Sequence, residues 1–179
     1  MGTRSMSNRI LPEMVAMLKG WEMCMLRSYK EPDGITWSVG YGHTGHSGPP
    51  SVDANTVLKD EAEATDILMR DLTDHYAPQL DKILEVEGVE LNTFEWNAFL
   101  DILFNRGATR LRKSKAFDWL KRPAEKNYRK EACAAIVFSQ VEGFQPLNMA
   151  KDRITGEVVT KLGLTLRRID DAALFQHKP

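Results

Sequence analysis

Apolar residues recur at helical spacing near the start of this chain, three or four positions apart. The residues that share this face are Ile10, Met14, Met17, Leu18, Trp21 and Met25. Pro12 suits the first turn of a helix, and Glu13 lies near the positive end of the helix dipole. The pattern therefore predicts a first helix over residues 11–28.

The periodicity changes after Tyr29. The tripeptide Pro32-Asp33-Gly34 is a turn signal. Beyond it, apolar residues alternate with small or polar ones from Ile35 to Tyr41, which is typical of a β-strand. Gly40 permits tight backbone geometry or close approach of a ligand at the end of this strand. A small hairpin is expected here.

Helical periodicity returns from Asp60 onward. The predicted helices cover about residues 60–79, 81–85, 94–104, 114–121, 131–140 and 164–175. Residues 143–163 are predicted to form a long loop. Gly107 suits the left-handed position after a helix. The chain is thus predicted to be α+β, mainly α.

Length and composition limit the possible domain organisation. A chain of 179 residues can bury one sizeable core, so residues 10–179 are expected to form a single domain. Residues 1–9 are polar and are expected to be a flexible N-terminus, in part an expression tag. No apolar run is long enough to span a bilayer, and no signal peptide is seen.

Charge is balanced overall but uneven along the chain. The formal net charge is −1, so no global field favours nucleic acid or a membrane. Residues 53–90 hold eleven acidic and three basic residues, whereas residues 106–130 hold ten basic and two acidic ones. These segments are either solvated faces of opposite sign, or the basic segment faces an anionic polymer.

No metal or cofactor is predicted. The two cysteines, Cys24 and Cys133, have no zinc-motif spacing. His43 and His46 lie close together in sequence, but no third ligand accompanies them.

Glu22 is the first candidate for chemistry. It lies on the border of the apolar face of the predicted first helix, near its negative C-terminal end. Apolar neighbours and a negative helix end both favour a protonated carboxyl group, which is what a general acid requires. The alternative is a surface glutamate on an amphipathic helix, and periodicity alone favours that alternative.

Taken together, several segments resemble the phage-type lysozymes, the endolysins of glycoside hydrolase family 24. The segments that carry the resemblance are Trp21-Glu22 with Leu26 and Tyr29, the run Trp37–Thr44, Glu61–Leu72, Phe104-Asn105-Arg106-Gly107, and Gly163-Leu164 with Arg167-Arg168 and Asp171. These matches are in order and extend over nearly the whole chain from Ile10. Such ordered matches are more specific than any one motif.

The resemblance implies a mainly helical fold with a small β-hairpin lobe, about residues 29–58, and a larger helical lobe that includes the first helix. A substrate cleft is expected between the lobes. The implied activity is hydrolysis of the β-1,4 bond between N-acetylmuramic acid and N-acetylglucosamine in bacterial peptidoglycan. A monomer is expected, held in the host cytoplasm until another factor releases it to the cell wall.

The family uses a catalytic Glu, Asp and Thr, and the last two are replaced here. The resemblance places the Glu at Glu22, the Asp at Glu31 and the Thr at Ser38, with Asp33 as a rival to Glu31. The extra methylene of Glu31 moves its carboxylate, while Ser38 keeps a hydroxyl that can hold a water. We interpret the site as active but altered. The alternative is a non-catalytic peptidoglycan-binding or scaffold module.

Four residues are candidates for substrate binding: Trp37, Tyr41, His43 and Asn105. Trp37 is equally explained by packing of the small lobe, and Asn105 by a structural role at a helix end. A third hypothesis, a helical adaptor without a glycan site, leaves the pattern from Trp21 to Thr44 unexplained.

Overall fold

The computed structural model describes residues 9–138, 147–151 and 158–177. The chain divides into two compact units, of which the first ends at Pro78 and the second begins at Gln79. In the described ranges, no helix is long and apolar enough to cross a membrane.

The first unit begins with helix α1 (Pro12–Trp21), which is shorter than predicted. Residues 25–28, predicted as helix, belong instead to strand β1 (Met25–Lys30). Gly20 weakens the end of the helix, and the backbone of Glu22 is already extended, with φ −93° and ψ 135°. The apolar spacing that continues to Met25 was misleading because pairing with a neighbouring strand overrides local helical preference.

The predicted hairpin is present and is part of a three-stranded antiparallel sheet. Strand β1 pairs with β2 (Trp37–Gly40), and β2 pairs with β3 (His43–Thr44). In this register Tyr29 lies opposite Ser38. Gly40 has φ 64°, and a Cβ atom there would lie 3.4 Å from the side chains of Ala64 and Leu58. Only glycine therefore fits this corner without strain.

The helix predicted over residues 60–79 consists of several parts. Helix α2 (Glu61–Arg70) is followed by a π-helix (Asp71–Tyr76) and then by α3 (Ala77–Glu87), which includes the second predicted helical region. Pro78 has no amide hydrogen and cannot donate the usual helical hydrogen bond. The π-helix just before Pro78 changes the hydrogen-bonding register, which is compatible with the amide hydrogen that Pro78 lacks.

Helix α4 (Thr93–Arg112) forms the centre of the second unit. It begins with a capping box between Asn92 and Glu95, and every residue from 95 to 103 is buried. The helix predicted over residues 94–104 is therefore present, and it lies in the core of the second unit. Gly107 has the positive φ that was predicted, 76°, but its ψ is 160°, and a further helical turn follows it instead of a loop.

Three more helices of the second unit lie in the described part of the chain. They are α5 (Lys115–Leu120), α6 (Tyr128–Phe138) and α7 (Leu162–Gln176), all close to the predicted positions. Residues 139–140, predicted as the end of a helix, lie outside the described residues. Helix α6 packs against both α5 and α7. Helix α7 also packs against α4.

A second small hairpin was not predicted. Strand β4 (Met149–Lys151) pairs with β5 (Val158–Thr160) inside the segment that was expected to be a loop. Three-residue strands are too short to give a recognisable alternation. Residues 143–146 and 152–157 of the predicted loop lie outside the described residues.

Candidate active site

Glu22 is the residue at which the chain leaves helix α1. Its backbone N–H donates to the Leu18 carbonyl at 2.9 Å, and its extended backbone directs the chain toward strand β1. The side chain is half-buried. Because the helix ends here, Glu22 lies at the negative C-terminal end of the helix dipole.

Glu31 and Ser38 are joined by a short hydrogen bond. Tyr29 lies opposite Ser38 across the sheet, and Glu31 follows Tyr29 by two positions, so both face the same side as Ser38. The Ser38 hydroxyl donates to Oε1 of Glu31 at 2.5 Å. Ser38 is fully buried, and Glu31 is half-buried. The sheet register thus brings together two residues that are seven positions apart in sequence.

Tyr29 forms side-chain hydrogen bonds with Glu31 and Ser38, and it lies close enough to Glu22 to respond to its charge. Burial raises the pKa of the Tyr29 phenol, and the negative charges of Glu31 and Glu22 raise it further. Tyr76 shows a similar effect, since burial and the charges of Asp71 and Glu22 raise its pKa. Glu22, Glu31 and Ser38 therefore lie within electrostatic reach of one tyrosine in the first unit.

Asp33, the rival second carboxylate, is held by the turn between β1 and β2. Its Oδ1 accepts hydrogen bonds from the N–H groups of Ile35 and Thr36 at 2.8 and 2.9 Å. Its Oδ2 accepts from the Thr36 hydroxyl at 2.6 Å. The Thr36 hydroxyl and these two backbone donors lower the pKa of Asp33. Asp33 is exposed, and both of its oxygens stabilise the turn.

Tyr41 and His43, both candidates for substrate binding, are buried with their polar atoms bonded to protein. The Tyr41 hydroxyl donates to Glu61 at 2.7 Å. Nδ1 of His43 lies 2.9 Å from both carboxylate oxygens of Asp71, and Nε2 lies 2.8 Å from the Pro50 carbonyl. Since both ring nitrogens face acceptors, His43 fits this place best as a doubly protonated imidazolium. This geometry indicates structural roles at these positions.

The other two binding candidates lie in different units. Trp37 is half-buried in the first unit, with Nζ of Lys30 5.3 Å from its ring centroid. Asn105 is half-buried on α4 in the second unit. Its Oδ1 is buried and has no hydrogen-bond partner among the described residues.

The buried ion pair of His43 predicts a pH dependence of stability. Burial alone would lower the pKa of His43, but the hydrogen bonds to Asp71 and Pro50 and the Asp71 charge raise it overall. A raised pKa stabilises the fold below about pH 6.5, and this stabilisation is lost as pH rises through the folded-state pKa. The gap in melting temperature between wild type and His43→Gln should therefore be largest below that pH and narrow above it.

The matched control for this experiment is His46→Gln, which changes an exposed histidine three residues further along. Its melting temperature should stay close to that of wild type at each pH. A gap for His43→Gln that grows with rising pH would contradict the proposed imidazolium.

Sequence reasoning did not predict the roles of Tyr29, Asp71 and Tyr76. In the sequence, Tyr29 serves only to fix the spacing between Glu22 and Glu31. Asp71 and Tyr76 fall in a segment that was predicted as ordinary α-helix, in which they would point in different directions. Among the described residues, no three His, Cys, Asp or Glu side chains are grouped to hold a metal ion.

The fold is shared with solved muramidases and endolysins. The muramidase domain of SpmX from Asticaccaulis excentricus has a TM-score of 0.70 at 21% identity, covering 94% of this chain and 98% of that one. The endolysin from Escherichia coli O157:H7 phage FAHEc1 has a TM-score of 0.67 at 20% identity, covering 93% and 92%. A mutant P22 lysozyme has a TM-score of 0.64 at 25% identity, covering 94% and 98%.

These likenesses define a protein with a lysozyme-type fold, as the resemblance implied. The family model for phage lysozymes matches residues 19–168, so the chain belongs to the phage lysozyme family. None of the curated proteins matches the sequence.

Proposed function

We propose that this protein is an endolysin-type muramidase. It hydrolyses the β-1,4 bond between N-acetylmuramic acid and N-acetylglucosamine in bacterial peptidoglycan. The proposal is supported by membership of the phage lysozyme family and by the grouping of Glu22, Glu31 and Ser38 in the first unit. It acts as a monomer that another factor releases from the host cytoplasm to the cell wall.

In this mechanism Glu22 protonates the glycosidic oxygen as the bond to the leaving sugar breaks. Glu31 stays ionised, and it either activates a water or stabilises the oxocarbenium ion that develops on the other sugar. Glu31 is preferred to Asp33 because both oxygens of Asp33 are bound in the turn.

The observation that carries this assignment is the contact between the Ser38 hydroxyl and Glu31 at 2.5 Å. A hydroxyl donor at this distance stabilises a carboxylate more than a neutral acid. It also fixes the longer glutamate side chain in one position. We therefore assign Ser38 to positioning Glu31, in place of the expectation that it orients a water directly.

The direct test is digestion of purified peptidoglycan, with the products identified by mass spectrometry. Muropeptides that end in reducing N-acetylmuramic acid would establish a muramidase. Anhydro ends would indicate a lytic transglycosylase, and reducing N-acetylglucosamine ends would indicate cleavage of the other glycosidic bond. Either of those results would overturn the proposed reaction.

A prediction about Ser38 tests the positioning role. Ser38→Ala removes a hydrogen bond to a charged group, so kcat should fall about ten- to a hundredfold. Ser38→Thr keeps the hydroxyl and should retain most of the activity. The measurement is initial rate on purified sacculi, with melting temperatures for each variant. Equal activity of the alanine variant and wild type would remove Ser38 from the mechanism.

A non-catalytic peptidoglycan-binding or scaffold module is the second candidate. It is favoured by the complete burial of Ser38, whose hydroxyl proton is already directed at Glu31 and is not offered to a substrate water. Co-sedimentation with sacculi separates the two candidates. Binding without any released muropeptide, under conditions where a control muramidase digests the same sacculi, would support the binding module.

A further inference from the structure

The register of β1 against β2 shifts just before Tyr29. Met25 lies opposite Gly40 at the start of β1. Continuing this register would place Arg27 opposite Ser38, but the residue found there is Tyr29. An irregularity of this kind re-aims side chains, and such features are common beside active sites. Here it brings a phenol, in place of a guanidinium, to the Ser38 hydroxyl.

Glu31 reaches the same place from the end of β1. Its backbone N–H donates to the Thr36 carbonyl at 2.8 Å, so the antiparallel pairing continues to this residue. Tyr29 and Glu31 are two positions apart and therefore project from the same face of the strand. Oε1 of Glu31 lies 2.5 Å from the Ser38 hydroxyl. Because Tyr29 is the cross-strand neighbour of Ser38, the three side chains meet on one face of the sheet.

The phenol of Tyr29 forms side-chain hydrogen bonds with both of these neighbours. An ionised carboxylate only accepts hydrogen bonds, whereas the Tyr29 phenol and the Ser38 hydroxyl carry one proton each. Glu31 can therefore receive both protons. Burial and the charge of Glu31 raise the pKa of Tyr29, so its phenol keeps its proton to higher pH than an ordinary tyrosine does.

A second donor matters because Glu31 is a long side chain. A glutamate has one more rotatable bond than an aspartate, so its carboxylate has more positions available and loses more freedom when it is fixed. Ser38 binds one oxygen of this carboxylate. A hydrogen bond from Tyr29 restricts the group further. A misplacement of about 1 Å at a reacting group can cost roughly a hundredfold in rate.

We propose that Tyr29 is a positioning residue that donates a second hydrogen bond to Glu31 and, together with Ser38, holds this carboxylate ionised and in one place. This inference rests on the proposed function, since it specifies how the second carboxylate of that mechanism is held. Tyr29 acts through Glu31 and exchanges no proton with the substrate.

The first test is Tyr29→Phe, which removes the hydroxyl and keeps the ring. On purified sacculi kcat should fall about tenfold, because a hydrogen bond to a charged group is lost, while KM should change less than about twofold. The acidic limb of the rate–pH profile should move to higher pH, since a carboxylate with one donor fewer is protonated more easily. A loss that lies in KM alone, or a lower kcat with an unmoved acidic limb, would overturn the proposal.

Tyr128→Phe is the matched control. It removes a phenol that accepts from Nε of Arg129 at 2.8 Å in the second unit, and it should keep the wild-type kcat and pH profile. The double variant of Tyr29→Phe with Ser38→Ala should lose less activity than the product of the two single losses, because both residues act on one carboxylate. Losses that simply multiply would show that Tyr29 does not act through Glu31. Melting temperatures of all variants identify any that fail to fold.

The contact with Glu31 is also testable without a substrate. When the ring Cζ atoms of tyrosine are labelled with carbon-13, NMR follows the ionisation of each phenol, and Tyr29→Phe assigns the Tyr29 signal. Glu31→Gln should lower the pKa of Tyr29, because it removes a negative charge that raises it. Tyr41 is the internal control, since burial and the hydrogen bond to Glu61 raise its pKa, and it should titrate as in wild type.

These two kinds of measurement separate the inference from the proposed function. If wild type releases no muropeptide, the muramidase proposal fails, and the NMR titration still tests the contact. A lower pKa of Tyr29 in Glu31→Gln would then support Tyr29 as the residue that holds Glu31. An unchanged pKa of Tyr29 in Glu31→Gln would reject the positioning role, whether or not the protein cleaves peptidoglycan.

Discussion

Glu22→Gln is expected to remove nearly all glycan cleavage while leaving the fold intact. A glutamine cannot donate the proton that the leaving sugar needs, and general acid catalysis contributes roughly a hundredfold to ten-thousandfold. Rates of reducing-end release from purified sacculi should fall by at least that lower factor. The melting temperature should change little, because the neutral side chain suits the negative end of α1 at least as well as the carboxylate.

Glu13→Gln is the matched control for Glu22→Gln. It removes an exposed carboxylate from the first turn of the same helix, far from Glu31 in the sequence, and should keep full activity. Retention of binding to sacculi by Glu22→Gln would place the defect in chemistry. A Glu22→Gln variant within a fewfold of wild-type activity would require another proton donor, and the mechanism proposed above would be wrong.

The local structure around the candidate acid Glu22 differs from what the sequence predicts. The apolar spacing that Met25 and Leu26 extend predicts that the helix continues past Glu22. In the structure this helix ends at Trp21, and Met25 begins a strand. Short apolar segments have the same composition in helices and in buried strands, so only the pairing with β2 decides between them.

Pairing also explains why the contact of Ser38 with Glu31 could not be foreseen. Alternation from Ile35 to Tyr41 showed which residues share a face of the strand. It could not show which residue of β1 lies opposite Ser38, because every register that differs by two residues keeps the same faces. The register that places Tyr29 opposite Ser38 is a property of the closed hairpin, including its turn at Asp33.

The π-helix is a further feature that local sequence patterns hide. Asp71 and Tyr76 are five residues apart, which in an α-helix places them on different faces. Hydrogen bonding from i to i+5 makes five residues about one turn, so both can reach the same side. Asp71 accordingly contacts His43, and Tyr76 interacts with Ser47 of the loop that follows β3. The helix thereby supports the sheet that carries Ser38.

Asp101→Asn is expected to cause the largest loss of stability in the second unit. Asp101 accepts from Nε and Nη2 of Arg167 at 2.9 and 2.7 Å, and Arg168 lies 3.4 Å away. Burial alone would raise the pKa of Asp101, but the hydrogen bonds and charge of Arg167 lower it overall. An asparagine at this position has nearly the same volume as the aspartate, so the variant removes the negative charge that Arg167 binds while keeping the shape of the side chain. Losing one partner of a buried pair costs about 3–5 kcal/mol.

Asp118→Asn is the matched control, because Asp118 also pairs with two cations, Lys115 and Arg122, but these lie nearer the surface. Pairs of that kind contribute about 0–1 kcal/mol. The free energy of unfolding would be measured by urea denaturation at neutral pH, with equal m-values required for comparison.

Since the pKa of Asp101 is lowered, its contribution to stability is present above about pH 4 and is lost as pH falls through the folded-state pKa. The difference in unfolding free energy between Asp101→Asn and wild type should therefore become smaller in acid. If Asp101→Asn loses no more stability at neutral pH than Asp118→Asn, the buried network does not hold α4 and α7 together.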